Sequence, residues 1–229
     1  MKFRKTDPEF MERFEHFAFE EVPEEKGQQL DGNTRYIAIL AVLIGCQGVS
    51  AYREMLAKAL EEGLSPVEVK EIVYQSVDYV GMGRMWDFLS VTNDVFTEKG
   101  IALPLKGQAA TTFQNRLEKG VEVQTEIFGE HMREAWKTGH INRWLAANCF
   151  GDYYTRTGLS LAQRELITFC FLLAQGGCEP QLIAHAKGNM NLGNDKEFLI
   201  KVVSQCVPYV GYPRSLNAIT CVNKAAESV

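Results

Sequence analysis

The sequence predicts an all-α fold made of two tandem copies of one helical unit. Apolar residues recur at helical spacing through nearly the whole chain, and no convincing segment alternates apolar and polar residues as a strand would. The hexapeptide YVGMGR at residues 79–84 also resembles YVGYPR at 209–214. A duplication of this length makes each half a structural unit, because a helical repeat buries its apolar face against its neighbour.

The two halves align over most of their length. An offset of 130 residues pairs Gly63 with Gly193, and an offset of 129 pairs Arg35 with Arg164. Each half is predicted to contain a pre-helix, a helical hairpin, a third helix of about 15 residues and a last helix. The two glycines lie where the helix before each of them should end, as C-cap glycines do.

Three capping boxes mark helix starts, at residues 65–68 (SPVE), 160–163 (SLAQ) and 194–197 (NDKE). The glycine- and proline-containing stretch from Thr97 onward predicts a linker, and residues 113–139 are expected to form one or two extra amphipathic helices. The resulting division is a degenerate first repeat at 1–97, a linker at 98–112 and a second repeat at 113–229.

Composition excludes several classes of protein. The chain has 229 residues, 46% of them apolar, and a net charge of −5. Nucleic acid is not expected as a partner, because phosphate binding requires a basic face. A membrane is not expected either, because the longest apolar run, at 36–44, is far shorter than a bilayer span and no signal peptide is evident. We expect a soluble, cytoplasmic protein.

A candidate site lies in the hairpin of the second half. Helices at about 161–174 and 179–191 are predicted to flank a turn at 175–177. Glu165 and His185 are each ten residues from Gln175, so they should face each other across the antiparallel pair. A carboxylate beside an imidazole fixes its tautomer and prepares it for proton transfer.

The duplication provides an internal control for this interpretation. The first half keeps the hairpin but has Tyr36 and Met55 at the matching positions. A residue that the fold requires should occur in both halves, so Glu165 and His185 are predicted to be functional. The alternative, that His185 is an interior histidine with satisfied hydrogen bonds, remains open.

Cys178 and Gln181 complete the candidate site. Cys178 lies at the start of the second hairpin helix, where the helix dipole is expected to favour the thiolate. Two helical turns separate it from His185, so direct contact is not expected. Gln181, one turn before His185, is better placed to bind a ligand. The six cysteines form no CxxC motif and no zinc-binding pattern, and most lie among apolar neighbours.

Arginines of the second half are candidates for binding a substrate carboxylate bidentately, namely Arg164 and Arg214. Both have counterparts in the first half, which favours a structural role for them. Tyr209 with Tyr79 is interpreted in the same way. The two roles stay open at this point.

These residues resemble the carboxymuconolactone decarboxylase family, whose members have the alkylhydroperoxidase-D-like helical fold. The resemblance is good over about 141–222 and weaker over 17–97. It is carried by LSLAQREL at 159–166, GGCEPQL at 176–182, His185, GNMNLG at 188–193 and PYVGYPRSLNA at 208–218.

The resemblance implies two chemistries. The namesake reaction removes CO₂ from 4-carboxymuconolactone in aromatic catabolism, without cofactor or metal. Here His185 would be the proton donor, oriented by Glu165, with Gln181 as oxyanion donor and an arginine on the acid side arm. The peroxidase-like branch uses a Glu, a Cys-x-x-Cys pair and a His, but Gln181 replaces its second cysteine. A thiol peroxidase using Cys178 with an external thiol is therefore the alternative, and a non-catalytic binding protein is the third possibility. Single-repeat hexamers in the family imply a homotrimer for this chain.

Overall fold

The computed structural model describes residues 2–227 and is helical, with no strand among these residues. This confirms the predicted fold class. The helices of the first half are α1 (Pro8–His16), α2 (Val22–Glu24), α3 (Gly32–Gly45), α4 (Val49–Glu61), α5 (Pro66–Val80) and α6 (Met82–Glu98). The later helices are α7 (Arg116–Phe128), α8 (His140–Trp144), α9 (Leu161–Gln175), α10 (Glu179–Asn191), α11 (Lys196–Val210) and α12 (Tyr212–Ala226).

Wider π-helical turns follow the first helix of each half, at Phe17–Glu21 and Leu145–Tyr154. Short 3₁₀ turns at Glu130–Met132 and Ala135–Thr138 connect α7 to α8. The predicted hairpin of the second half is confirmed as α9 and α10. In the segment predicted as 113–139, one α-helix forms, α7, and the rest is short turns.

Two of the three predicted capping boxes are present, at Ser65 and Ser160. The third prediction is wrong by one residue. Asp195, not Asn194, caps α11, because its carboxylate accepts a hydrogen bond from the Phe198 amide at 2.8 Å. The Asn194 side chain instead donates to the Ala162 carbonyl at 3.0 Å and so fixes the end of α10 against α9.

The centre of the molecule is the packing of α3 against α9, one helix from each repeat. Every residue from Tyr36 to Gly45 of α3 and from Arg164 to Ala174 of α9 is buried. Helices apolar on all sides belong in the interior, and one apolar cluster runs through both halves. The repeats therefore share a core.

A pair of equivalent hydrogen bonds joins the repeats. Arg35 donates through Nε to Gln205 Oε1 at 2.9 Å, and Arg164 donates through Nη1 to Gln75 Oε1 at 3.0 Å. In each case the arginine of one repeat binds the glutamine of the other. Recurrence of these residues in both halves thus reflects the packing of the two units.

The segment between α6 and α8 packs against the helices that follow it. Helix α7 lies along the π-helical turn Leu145–Tyr154, and two glycines allow the close approach. A Cβ at Gly120 would lie 1.8 Å from the Ala146 carbonyl oxygen, and one at Gly151 would lie 2.0 Å from that of Arg116. As domain boundaries, the ranges 1–97, 98–112 and 113–229 stay predictions.

Across residues 2–227, we find no helix with both the length and the apolar character needed to cross a bilayer.

Candidate active site

Helices α9 and α10 bring Glu165 and His185 into direct contact. His185 Nδ1 and Glu165 Oε2 lie 2.8 Å apart, and because a carboxylate oxygen accepts, Nδ1 is the donor. The carboxylate is fully buried, whereas 12% of the His185 side chain is exposed. Since Nδ1 faces Glu165, the other ring nitrogen, Nε2, is directed away from the carboxylate. The predicted juxtaposition across the hairpin is therefore present in the structure.

The second oxygen of Glu165 is held by Tyr154, which Tyr79 contacts in turn. The Tyr154 hydroxyl donates to Glu165 Oε1 at 2.7 Å. Having one proton, Tyr154 must accept from its other neighbours, Thr168 Oγ1 at 2.6 Å and the Tyr79 hydroxyl at 2.9 Å. Burial raises the pKa values of Tyr79 and Tyr154 well above the usual range of tyrosine, so both hydroxyls keep their protons. The Oε1 atom of Glu165 thus accepts from a neutral donor.

Backbone contacts hold the two helices at this separation. Asn189 donates through Nδ2 to the carbonyl oxygens of Glu165 at 2.9 Å and His185 at 2.8 Å. Gly188 leaves the space that the carboxylate occupies, because a Cβ there would lie 2.8 Å from Glu165 Oε2. The segment after His185 is therefore shaped around the acid–base pair.

His185 lines a cavity of about 340 Å³. Its ring stands edge-to-face with those of Phe128 and Tyr79, with centroids 5.3 and 5.8 Å apart. The wall is largely apolar, and residues from both halves of the chain and from the segment between α6 and α8 contribute to it. The lining residues are Tyr79, Gln124, Phe128, His131, Met132, Leu145, Phe150, Leu172, Gln181, Ala184 and His185.

Gln181 lies where the cavity meets solvent. Its side chain and Ala184 are exposed and line the cavity, so the predicted ligand-facing position is present. Its role in substrate binding stays a prediction.

Cys178 does not line this cavity. It precedes α10, and its thiol lies 3.4 Å from the Leu172 carbonyl oxygen, to which it donates. Burial, reinforced by the charge of Glu179, raises the pKa of the Cys178 thiol. The expected shift toward thiolate is therefore wrong, because desolvation outweighs the helix dipole at this partly buried position.

Neither candidate arginine lines the cavity. Arg164 is fully buried between the repeats, where its Nη2 donates to Glu71 Oε2 at 3.0 Å. Arg214 lies over the turn of the hairpin, where a Cβ on Gly176 would be 1.8 Å from its Nη1. For both residues the structure favours the structural alternative over binding of a substrate in this cavity.

Sequence reasoning missed three polar residues around the pair. Tyr154 lies in a π-helical turn that periodicity does not predict, and Gln124 lies in the segment between the repeats. The match between Tyr79 and Tyr209 favours a structural role, although only Tyr79 faces a carboxylate–imidazole pair. No sequence motif links these three residues to the pair, because each comes from a different segment of the chain.

A second buried acid lies behind the tyrosines. Burial, with a contribution from Asp152, raises the pKa of Asp78 to about 8. Burial likewise raises the pKa of Cys149 well above the usual range, and its Sγ lies 3.5 Å from the Tyr79 hydroxyl. No group of three His, Cys, Asp or Glu side chains suited to a metal ion occurs in the part of the chain that the structure describes.

Comparisons with known proteins agree with this architecture. A profile of the carboxymuconolactone decarboxylase family matches twice, at residues 8–94 and 140–224. The 4-carboxymuconolactone decarboxylase of Acinetobacter baylyi is 30% identical over 108 residues, which is 44% of this chain and 80% of that protein. The matches cover most of the chain and coincide with the two helical repeats, so the chain belongs to the carboxymuconolactone decarboxylase family.

Proposed function

We propose that this protein decarboxylates a small carboxylated lactone, of the type of 4-carboxymuconolactone, by proton transfer from His185. The observation that carries the proposal is the buried Glu165–His185 pair, 2.8 Å apart, beside a cavity of about 340 Å³. The A. baylyi relative, a 4-carboxymuconolactone decarboxylase by name, supports the choice of reaction.

The reaction breaks the bond between the carboxylate carbon and the ring. Carbon dioxide leaves, and the electron pair is delocalised onto the lactone carbonyl, so the substrate itself is the electron sink. His185 Nε2 then gives a proton to the ring carbon, and the imidazole regains a proton from water at the open side of the cavity. Glu165 holds the ring in place and stabilises the imidazolium through Nδ1.

The apolar wall assists bond cleavage. A carboxylate among Phe128, Phe150 and Leu172 is poorly solvated, whereas the transition state spreads its charge over the ring and carbonyl. An environment of low polarity therefore raises the energy of the substrate carboxylate more than that of the transition state.

The other two hypotheses receive less support. A thiol peroxidase needs a reactive thiolate, but Cys178 has a raised pKa and lies outside the cavity. A non-catalytic binding role would not require an acid–base pair within the hairpin.

Turnover of 4-carboxymuconolactone and of its side-arm methyl ester, followed by ultraviolet absorbance, tests the proposal. The wild type should release CO₂ from at least one of them, and His185→Ala should lower kcat by about 10²- to 10⁴-fold. Met55→Leu, at the equivalent place in the first repeat, is the control and should leave kcat unchanged. Circular dichroism verifies the fold of each variant. Wild-type protein that leaves both lactones intact, or His185→Ala at full activity, would contradict the proposal.

Assembly into a homotrimer and a cytoplasmic location also remain proposals. Equivalent apolar side chains are exposed at the start of the last helix of each repeat, Met82 and Trp86 on α6 and Tyr212 and Leu216 on α12. Such repeated apolar surface supports contact with other copies, and light scattering of the purified protein would give the mass.

A further inference from the structure

The segment between the two family-matched regions forms one wall of the cavity. Helix α7 and the turn after it contribute Gln124, Phe128, His131 and Met132 to the lining, and all four lie between the matched ranges 8–94 and 140–224. The acid–base pair belongs to the repeated unit, whereas this wall does not. Selectivity among substrates is therefore expected to depend on this segment.

Gln124 is the buried polar group of that wall, whereas His131 is exposed. Its residue is 2% exposed, and its Oε1 is buried without a hydrogen-bond partner in the described part of the chain. A buried amide oxygen without a partner is unfavourable unless a ligand or water supplies one. Because the amide can turn by 180°, it can accept from a ligand hydroxyl or donate to a ligand carbonyl.

The charge of the cavity favours ligands with little charge. Among described residues no lysine or arginine lines it, and its basic groups are the imidazoles of His131 and His185. The carboxylate of Glu165 lies directly behind His185. Lys187 lines an adjoining crevice rather than the cavity itself. A second carboxylate on the ligand would lose its hydration without gaining an arginine or lysine partner.

We propose that the cavity selects a substrate whose only charge is the carboxylate that is lost, and that Gln124 binds the uncharged polar edge of that substrate. The ligand class is a small monocarboxylated ring that carries a carbonyl or hydroxyl one ring atom away from the carbon bearing the carboxylate. The kinetic part of this inference rests on the proposed decarboxylation, and the binding part does not.

Binding of three inert rings tests the proposal independently of the reaction. Isothermal titration calorimetry would compare benzoate, 3-hydroxybenzoate and isophthalate. We expect 3-hydroxybenzoate to bind about fivefold more tightly than benzoate, as one added hydrogen bond gives, and isophthalate to bind most weakly. Gln124→Met should reduce the ratio of the affinity for 3-hydroxybenzoate to that for benzoate to about one. Gln114→Leu, an exposed glutamine ahead of the same helix, is the matched control and should keep it.

The thermal midpoint of Gln124→Met is measured alongside, and should not fall, since an unpartnered amide is replaced by an apolar chain of similar length. A ratio that survives in Gln124→Met, tighter binding of isophthalate than of 3-hydroxybenzoate, or no binding of any of the three would overturn the proposal.

The kinetic test compares 4-carboxymuconolactone with its side-arm methyl ester. We expect kcat/KM for the side-arm methyl ester to exceed that for the dianion at least about tenfold. Turnover that favours the dianion would support decarboxylation and overturn the selectivity proposed here. Conversely, the expected order of ring binding without turnover of either lactone would leave the selectivity intact and remove the proposed reaction.

Discussion

The two repeats place very different residues at equivalent positions. In the second repeat the hairpin holds Glu165 and His185, in contact and facing a cavity. In the first repeat the same positions hold Tyr36 and Met55, both buried in the shared core. The scaffold is the same, so the hairpin fold does not depend on the acid–base pair.

A second difference concerns the equivalent tyrosines Tyr79 and Tyr209. The Tyr79 hydroxyl contacts that of Tyr154 at 2.9 Å, whereas the Tyr209 hydroxyl is buried with no hydrogen-bond partner among described residues. Tyr209 lies edge-to-face with the ring of Phe14, at 6.5 Å. The part of the first repeat that corresponds to the site thus has aromatic packing but lacks the polar network.

Features that occur in both halves connect the repeats, whereas features of one half form the candidate site. The arginine–glutamine pairs belong to the first group and the carboxylate–imidazole pair to the second. This distinction indicates where substitutions should change stability and where they should change chemistry.

At a fixed pH, the largest loss of stability is expected from Arg164→Met. Arg164 is fully buried and paired with the almost fully buried Glu71, which keeps Arg156 as a second partner. The substitution removes one of the two cations at Glu71 and also the hydrogen bonds of Arg164 to Gln75 and to two backbone carbonyls, so it should lower the free energy of unfolding by about 3–5 kcal/mol. Arg35→Met removes only hydrogen bonds to neutral acceptors at a half-buried residue and should cost about 1–2 kcal/mol. Urea unfolding measures both, and equal losses would refute the claimed asymmetry between the equivalent arginines.

An effect that depends on pH is expected at Asp78, for which the second repeat has Pro208. The pKa of Asp78 is raised from 3.8 to about 8 in the folded protein. Between these values the native state keeps a proton that the unfolded chain releases. Asp78 therefore favours folding below about pH 4, and this contribution is lost as the pH rises to about 8, at up to about 1.4 kcal/mol per pH unit.

Asp78→Asn should flatten the dependence of the free energy of unfolding on pH over that window. Chemical unfolding at a series of pH values from 4 to 8 gives the slope, with Asp195→Asn, at an exposed helix cap, as the control. Parallel curves for wild type and Asp78→Asn would mean that Asp78 ionises normally.

The smallest effect separates the two tyrosines. Tyr79→Phe removes a buried hydroxyl that donates to Tyr154 and should cost about 1 kcal/mol of stability. Tyr209→Phe removes a buried hydroxyl that has no partner and should be neutral or slightly stabilising. Thermal unfolding compares them. If both substitutions cost the same, the hydroxyl of Tyr209 has a partner in solution, and the contrast between the repeats is weaker than described.

Much of this architecture could be predicted from the sequence because helix signals are local. Ser65 and Ser160 marked helix starts, and equal spacing from the turn placed Glu165 opposite His185. Tertiary contacts between segments far apart in the chain leave no such local signal. Gln124 and Tyr154 reach the site from segments with no counterpart in the periodic pattern. The burial that raises the pKa of Cys178 depends on neighbours far along the chain, so the local helix-dipole argument was wrong.

The links between the repeats also determine when the molecule becomes complete as it is synthesised. Gln75 binds Thr168, 93 residues later, and Arg35 binds Gln205, 170 residues later. The apolar helix α3 has α9 and α11 as neighbours, and both are translated after the whole first repeat. That repeat therefore leaves the ribosome with its most apolar helix uncovered. The early half, which lacks the acid–base pair, is the half most in need of protection from aggregation during synthesis.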